Sequence, residues 1–91
     1  MYVGSEQVNA DNAVRDITAL TPVAEATHAE LQASMADVAY TMDNATNPSE
    51  TSGMVFLVTE APKLFLMEDL RRIRFIRFGN ANGRLNVHYY R

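Results

Sequence analysis

The sequence predicts an all-β fold, a small β-sandwich. From Val38 to Tyr90, five short runs of β-branched, aromatic and other apolar residues follow one another at close spacing, the signature of a sandwich. The stretches between them gather Asn, Asp, Ser, Pro and Gly, residues that turn a chain for stated steric reasons. At 91 residues there is one domain at most. An apolar fraction of 47% with 21% charged residues supports a packed core over a disordered chain.

Taken in order, Met1 to Asn12 is polar with scattered valines and includes Gly4, Asn9, Asp11 and Asn12. It reads as an extended N-terminal arm, loosely held or ordered by a neighbour. In Ala13–Leu20, Val14, Ile17 and Leu20 recur at helical spacing, but two turns make a weak helix. Pro22 ends whatever precedes it, because the residue before proline is pushed out of the α region. Residues 24–39 fit two templates. Six alanines, a Thr27–Glu30 capping box and the Leu31/Met35/Val38 spacing suit a helix. Strict alternation of Ala29, Leu31, Ala33 and Met35 with His28, Glu30, Gln32 and Ser34 suits a strand.

Beyond that point the signals are cleaner. Val38, Tyr40 and Met42 alternate with Ala39, Thr41 and Asp43, a strand, and the DNATNPSETSG run over residues 43–53 is a loop. Met54 to Thr59 reads as a strand covered on both faces. Lys63 to Met67 is a short strand, Glu68-Asp69 a turn or single helical turn, and Arg72 to Phe78 a strand. Leu85 to Tyr90 is the last, with Leu85, Val87 and Tyr89 on one face. Asn82-Gly83 before it is a hairpin signal, since a type I′ turn needs positive φ at both central residues.

Charge divides the chain in two. Residues 1–60 hold nine acidic residues and one basic, Arg15, a local −8; residues 61–91 hold seven basic and two acidic, a local +5. Opposed ends of this kind steer a chain toward copies of itself or a larger charged surface. Small domains gain firmness from disulfides, metals or partners. There is no cysteine, and His28 and His88 stand without ligand spacing. Neither a metal nor a cofactor is expected, and oligomerisation remains. The first ten residues lack the basic and apolar regions of a secretory signal, and no run approaches the ~20 apolar residues of a membrane span.

A resemblance sharpens the reading. Ile17-Thr18-x-Leu20-Thr21 precedes Ala26-Thr27-His28-Ala29-Glu30-Leu31-Gln32, then Val38-Ala39-Tyr40-Thr41-Met42-Asp43 with Pro48 and Gly53 after it. Arg74-Phe75-Ile76-Arg77 and Leu85-Asn86-Val87-His88-Tyr89-Tyr90 follow. This order, across residues 15–91, resembles small β-sandwich proteins encoded among the structural genes of tailed bacteriophages, capsid-associated or head–tail-associated. Asn44 stands where that pattern usually has glycine; asparagine tolerates the left-handed conformation such a turn needs. The Tyr-Thr-x-Asp piece alone also resembles immunoglobulin-like modules of chitin- and hexosamine-degrading enzymes. The wider resemblance implies a strand at 28–35. The expectation is therefore an arm over 1–12 and, over 13–91, a β-sandwich of six or seven short strands.

The function this implies is structural, with no turnover: a virion protein, assembled in a host cytoplasm, that decorates or cements the capsid by binding across neighbouring capsid subunits. Its partner would be the major capsid protein or another virion protein, and its own oligomer a trimer. The alternatives are a head–tail or tail-fibre adaptor and a carbohydrate-binding module. Candidate interface residues are Tyr2 and Val3 on the arm, the arginines Arg71, Arg72, Arg74 and Arg77, and Tyr90. Guanidinium pairs bidentately with carboxylate, which suits the arginines to an acidic partner; a solvated sheet face is their plainer use. Phe75, Phe78, Tyr89 and Tyr90 beside them could stack bases, but the acidic balance opposes nucleic acid. Asp43, Glu50, Glu68 and Asp69 lack the spacing of a calcium loop or a catalytic pair. The serines have no nucleophile elbow and the four glycines form no phosphate loop. Met35, Met42, Met54 and Met67 fall on predicted strands, where gap-filling is their common use.

Overall fold

A computed structural model describes all of residues 1–91. The chain is a β-sandwich of two antiparallel four-stranded sheets. Its strands are β1 (Tyr2–Ala10), β2 (Arg15–Asp16), β3 (His28–Ser34), β4 (Val38–Thr41), β5 (Met54–Phe56), β6 (Lys63–Leu66), β7 (Arg74–Arg77) and β8 (Gly83–Tyr90). A 3₁₀ turn at Ile17–Ala19 follows β2, and a single helical turn, α1 (Met67–Leu70), follows β6. The first sheet runs β1-β8-β3-β6 and the second β2-β7-β4-β5.

Alternation decides what lies between the sheets. Ala29, Leu31 and Ala33 of β3, and Leu85, Val87 and Tyr89 of β8, point inward and are buried. Val38, Tyr40, Phe56 and Phe75 meet them from the second sheet. One end is tied by aromatic rings across the gap. Tyr40 stacks on Phe56 at 3.9 Å, and Phe65 of β6 stands edge-on to both, at 6.2 and 6.0 Å. Lys63 also points inward; its ammonium lies 5.8 Å from the Tyr40 ring and 5.6 Å from that of Phe56, with Glu60 at 3.8 Å. Met67 and Leu70 of α1, with Ile73, are buried in the same core.

The second sheet is covered on its outer side too. Ala39 and Ile76 are cross-strand partners on that side, and both are buried. The loop over 43–53 folds back there: Pro48 is buried, and a Cβ on Gly53 would lie 3.2 Å from both Pro48 and the Tyr40 carbonyl. Asn44 adopts φ 56°, the left-handed conformation expected of it.

Four expectations need correction. The N-terminal segment is extended but is no free arm; Tyr2–Ala10 pairs along β8 from Tyr90 to Gly83. Asn82-Gly83 closes no hairpin, because β7 and β8 belong to different sheets and positive φ falls instead at Gly79. Met54–Thr59 is not a doubly covered strand: only Met54–Phe56 pairs, at a sheet edge, and Met54 is 62% exposed. Met35 leaves β3 with φ 70° and is 72% exposed, so its part in the alternation fails.

Candidate functional site

The outer face of the first sheet is largely open; the chain approaches it only at Glu60–Pro62, where Gln32 Nε2 donates to the Glu60 carbonyl at 3.3 Å and Pro62 lies beside Asn86 and His88. Register sets its side chains in rows across the strands. Tyr2, Tyr90, His28 and Leu66 form one row, and Ser5, His88, Glu30 and Leu64 the next. Gln7, Asn86 and Gln32 follow, then Asn9, Arg84 and Ser34. The face is thus graded, aromatic and aliphatic at one end and amide-rich at the other.

The apolar end is open to solvent. Tyr2 is 54% exposed, Leu64 62% and Leu66 45%, and Met1 beside them 69%. The Tyr2 ring stands edge-on to His88 at 5.6 Å and to Tyr90 at 6.1 Å. Tyr90 donates its hydroxyl to Glu30 Oε1 at 2.9 Å; that bond to a carboxylate raises the phenol's pKa and keeps it a donor. A shallow depression of about 430 Å³ lies among Met1, His28, Glu30, Leu64, Tyr90 and Arg91. The two interplanar angles on Tyr2 are 70° and 71°, unlike the coplanar row on which a sugar ring stacks. Exposed rings and aliphatic side chains with a polar surround have the anatomy of a protein interface.

The sequence-predicted interface residues do not form one site. Tyr2 and Tyr90 are neighbours on this face. Val3 lies in a β-bulge between Tyr2 and Gly4 and packs against the core, so it is withdrawn from the surface. The arginines are dispersed because β7 begins only at Arg74; Arg71 and Arg72 sit in the turn after α1, exposed and without a hydrogen-bonded side-chain partner. Arg74 is spent on the 43–53 loop, donating to the Asn44 and Ala45 carbonyls at 2.9 and 3.0 Å and to Asn47 Oδ1 at 2.8 Å. Arg77 pairs with Glu50 at 2.5 Å and Asn82 at 2.9 Å. The opposed charge halves therefore meet in part within one chain.

Leu64 and Leu66 are the residues sequence reasoning missed. KLFL alternates, but with Lys63 and Phe65 turned inward and both leucines outward. A four-residue strand apolar on both faces carries that signal, although which face is inner depends on partners far along the chain.

The loop that binds Arg74 is itself held by Asp43. Its Oδ1 accepts from the backbone N–H groups of Thr46 at 2.8 Å and Ala45 at 3.0 Å. These bonds, the Thr46 bond foremost, hold the carboxyl down at about 2 against an ordinary 3.8. A depressed carboxylate pKa stabilises the fold fully above the ordinary value and less as pH falls toward the depressed one. The Asp43 carboxyl carbon is accordingly expected to titrate by NMR with a midpoint near 2; a midpoint near 3.8 would mean an open turn.

No group of three or more His, Cys, Asp or Glu side chains is placed to hold a metal ion, and no helix is long and apolar enough to cross a membrane. Comparison with protein-family models, with curated proteins and with solved structures finds no match.

Proposed function

We propose that this chain is a structural protein of a tailed-bacteriophage virion that docks on capsid protein through the outer face of its β1-β8-β3-β6 sheet. The observation that carries the reading is the exposed group of Met1, Tyr2, Leu64 and Leu66 at one end of that face. Tyr90 links them, since Met1 and Leu64 share a depression with it and Tyr2 stands edge-on to its ring, and exposed apolar surface of this kind marks interaction sites. The amide row of Gln7, Asn86 and Gln32 beside it supplies a polar rim. The virion assignment is supported by the ordered likeness of residues 15–91 to small phage β-sandwich proteins. Mechanically the chain acts by binding. Many copies on a symmetric shell, each with modest affinity, add up through avidity.

The test is incorporation into particles. Tyr2→Asp and Leu64→Asp change only exposed side chains and should leave the fold intact, yet each is expected to lower the copies per particle at least tenfold. Arg72→Asp, remote from the face, should incorporate normally. Equal incorporation of all three variants sinks the docking face. Imaging of intact particles reads the location: hundreds of copies on the shell fit decoration, about a dozen at one vertex fit the adaptor alternative.

A further inference from the structure

Each sheet has two edges, and the four edge strands differ sharply. β2 has two residues and β5 three; β6 has four, begins with Lys63 and follows Pro62. Short length, lysine and proline are the usual devices that stop an edge from recruiting another strand. β1 has nine residues, no proline, no lysine and no arginine.

The direction of its backbone groups follows from the ladder. Met1 N–H donates to the Arg91 carbonyl at 2.9 Å and Arg91 N–H returns a bond at 2.8 Å, while the Tyr90 carbonyl turns the other way and accepts from Thr27. Alternation then directs the backbone of Tyr89, Val87 and Leu85 to β1, where Val87 and Leu85 face Glu6 and Val8. Ser5, Gln7 and Asn9 must therefore aim their N–H and C=O groups at the open edge. No protein group bonds them there, and all three residues are exposed.

We propose that β1 is a strand-pairing site for a second copy of this chain, antiparallel across a two-fold axis at Gln7. That axis sets Gln7 against Gln7 of the second copy, and Ser5 and Asn9 against each other, so all three edge-facing residues are used. About six new backbone hydrogen bonds result, two for each such pair. The open edge carries no outward charge that would keep identical copies apart, and Glu6 sets the register. The single charged residue of Tyr2–Ala10 is Glu6; it points inward, where it accepts from the Tyr89 hydroxyl at 2.5 Å and from Thr21 N–H at 2.8 Å. With the axis at Gln7, Glu6 lies opposite Val8 of the second copy; moved to Glu6, the axis would oppose two carboxylates, which is destabilising. The two first sheets then join into one, with their outer faces side by side. This pairing stands on the edge alone and holds whether or not the face docks on a capsid. It yields a two-fold pair, distinct from a three-fold ring closed by opposed charges.

Sedimentation of the full chain across a concentration series tests it. The mass is expected to rise from 10.2 kDa toward twice that value, and to persist in high salt, which screens exposed charges but not ladder bonds. The amides of Ser5, Gln7 and Asn9 should exchange at least tenfold more slowly in the associated state. Gln7→Pro removes an N–H that takes no part in the β8 ladder, so it should fold and remain monomeric. Gln7→Lys and Gln7→Glu should each weaken association at least tenfold alone, and restore it when mixed. This charge pair decides the matter even if the proline variant does not fold. A monomer up to ~1 mM, the weak limit of specific affinity, overturns the proposal. So does association that the Gln7 charge variants leave unchanged.

Discussion

Replacing Phe75 by alanine is expected to cost about 3–5 kcal/mol, the usual range for emptying a buried aromatic site. Phe75 is wholly buried at the middle of the second sheet, between Arg15 of β2 and Tyr40 of β4. It faces the inner residues of the first sheet, and the ladders on either side hold the backbone in place. The space it leaves therefore cannot close by collapse, and its lining loses contacts outright. Domains are stable by only ~5–15 kcal/mol, so the loss consumes a large share of the total. Urea denaturation should show the midpoint fall steeply for Phe75→Ala and less for Phe75→Leu, which leaves a smaller cavity. Equal small shifts for the two variants would show that the site is not packed as described.

Gly83→Ala is expected to destabilise by about 1–3 kcal/mol, the cost of overpacking a site that cannot yield. Gly83 opens β8 and is buried against the turn that joins β3 to β4. An added Cβ would lie 2.6 Å from the Ala36 carbonyl oxygen and 3.2 Å from Val38 Cγ2. The nearer of these is backbone, so relief requires β8 to move away from that turn. β8 is the strand that both β1 and β3 pair with, and the disturbance spreads through the first sheet. Thermal melting compared with Gly79→Ala separates the causes. Gly79 has φ 96° but nothing within 4 Å, so its variant reports backbone conformation alone. A Gly83→Ala protein as stable as the wild type would contradict the close approach.

Alternation at 28–34 left a helix open until the wider resemblance implied a strand, and Ala29, Leu31 and Ala33 are buried as a strand requires. The same holds for Leu85, Val87 and Tyr89. Asn44 was readable because its side chain makes the left-handed backbone affordable. Gly83 was not, because proximity to the Ala36 carbonyl needs knowledge of a strand remote in the sequence, and the local Asn-Gly pair suggested a turn instead. β1 escaped recognition for a related reason. Its inward positions include Glu6 and Ala10 beside Val8, so the hydrophobic alternation that announces a strand is weak. Its place in the sheet comes from backbone pairing with β8 and from the bonds Glu6 makes to Tyr89 and Thr21.

By itself the sequence determined the all-β class, the 43–53 loop, most strands and the division of charge, because alternation and turn chemistry act over a few residues. Only the tertiary structure decided which strands neighbour which, and with that every property of the surface. Cross-strand register brought Tyr2, Tyr90, Leu64 and Leu66 onto one open face, while the 43–53 loop drew Arg74 and Arg77 out of any shared patch. The physical reason is that a side chain's face is set by the parity of its strand, but what that face meets is set by pairing partners as many as 88 positions away.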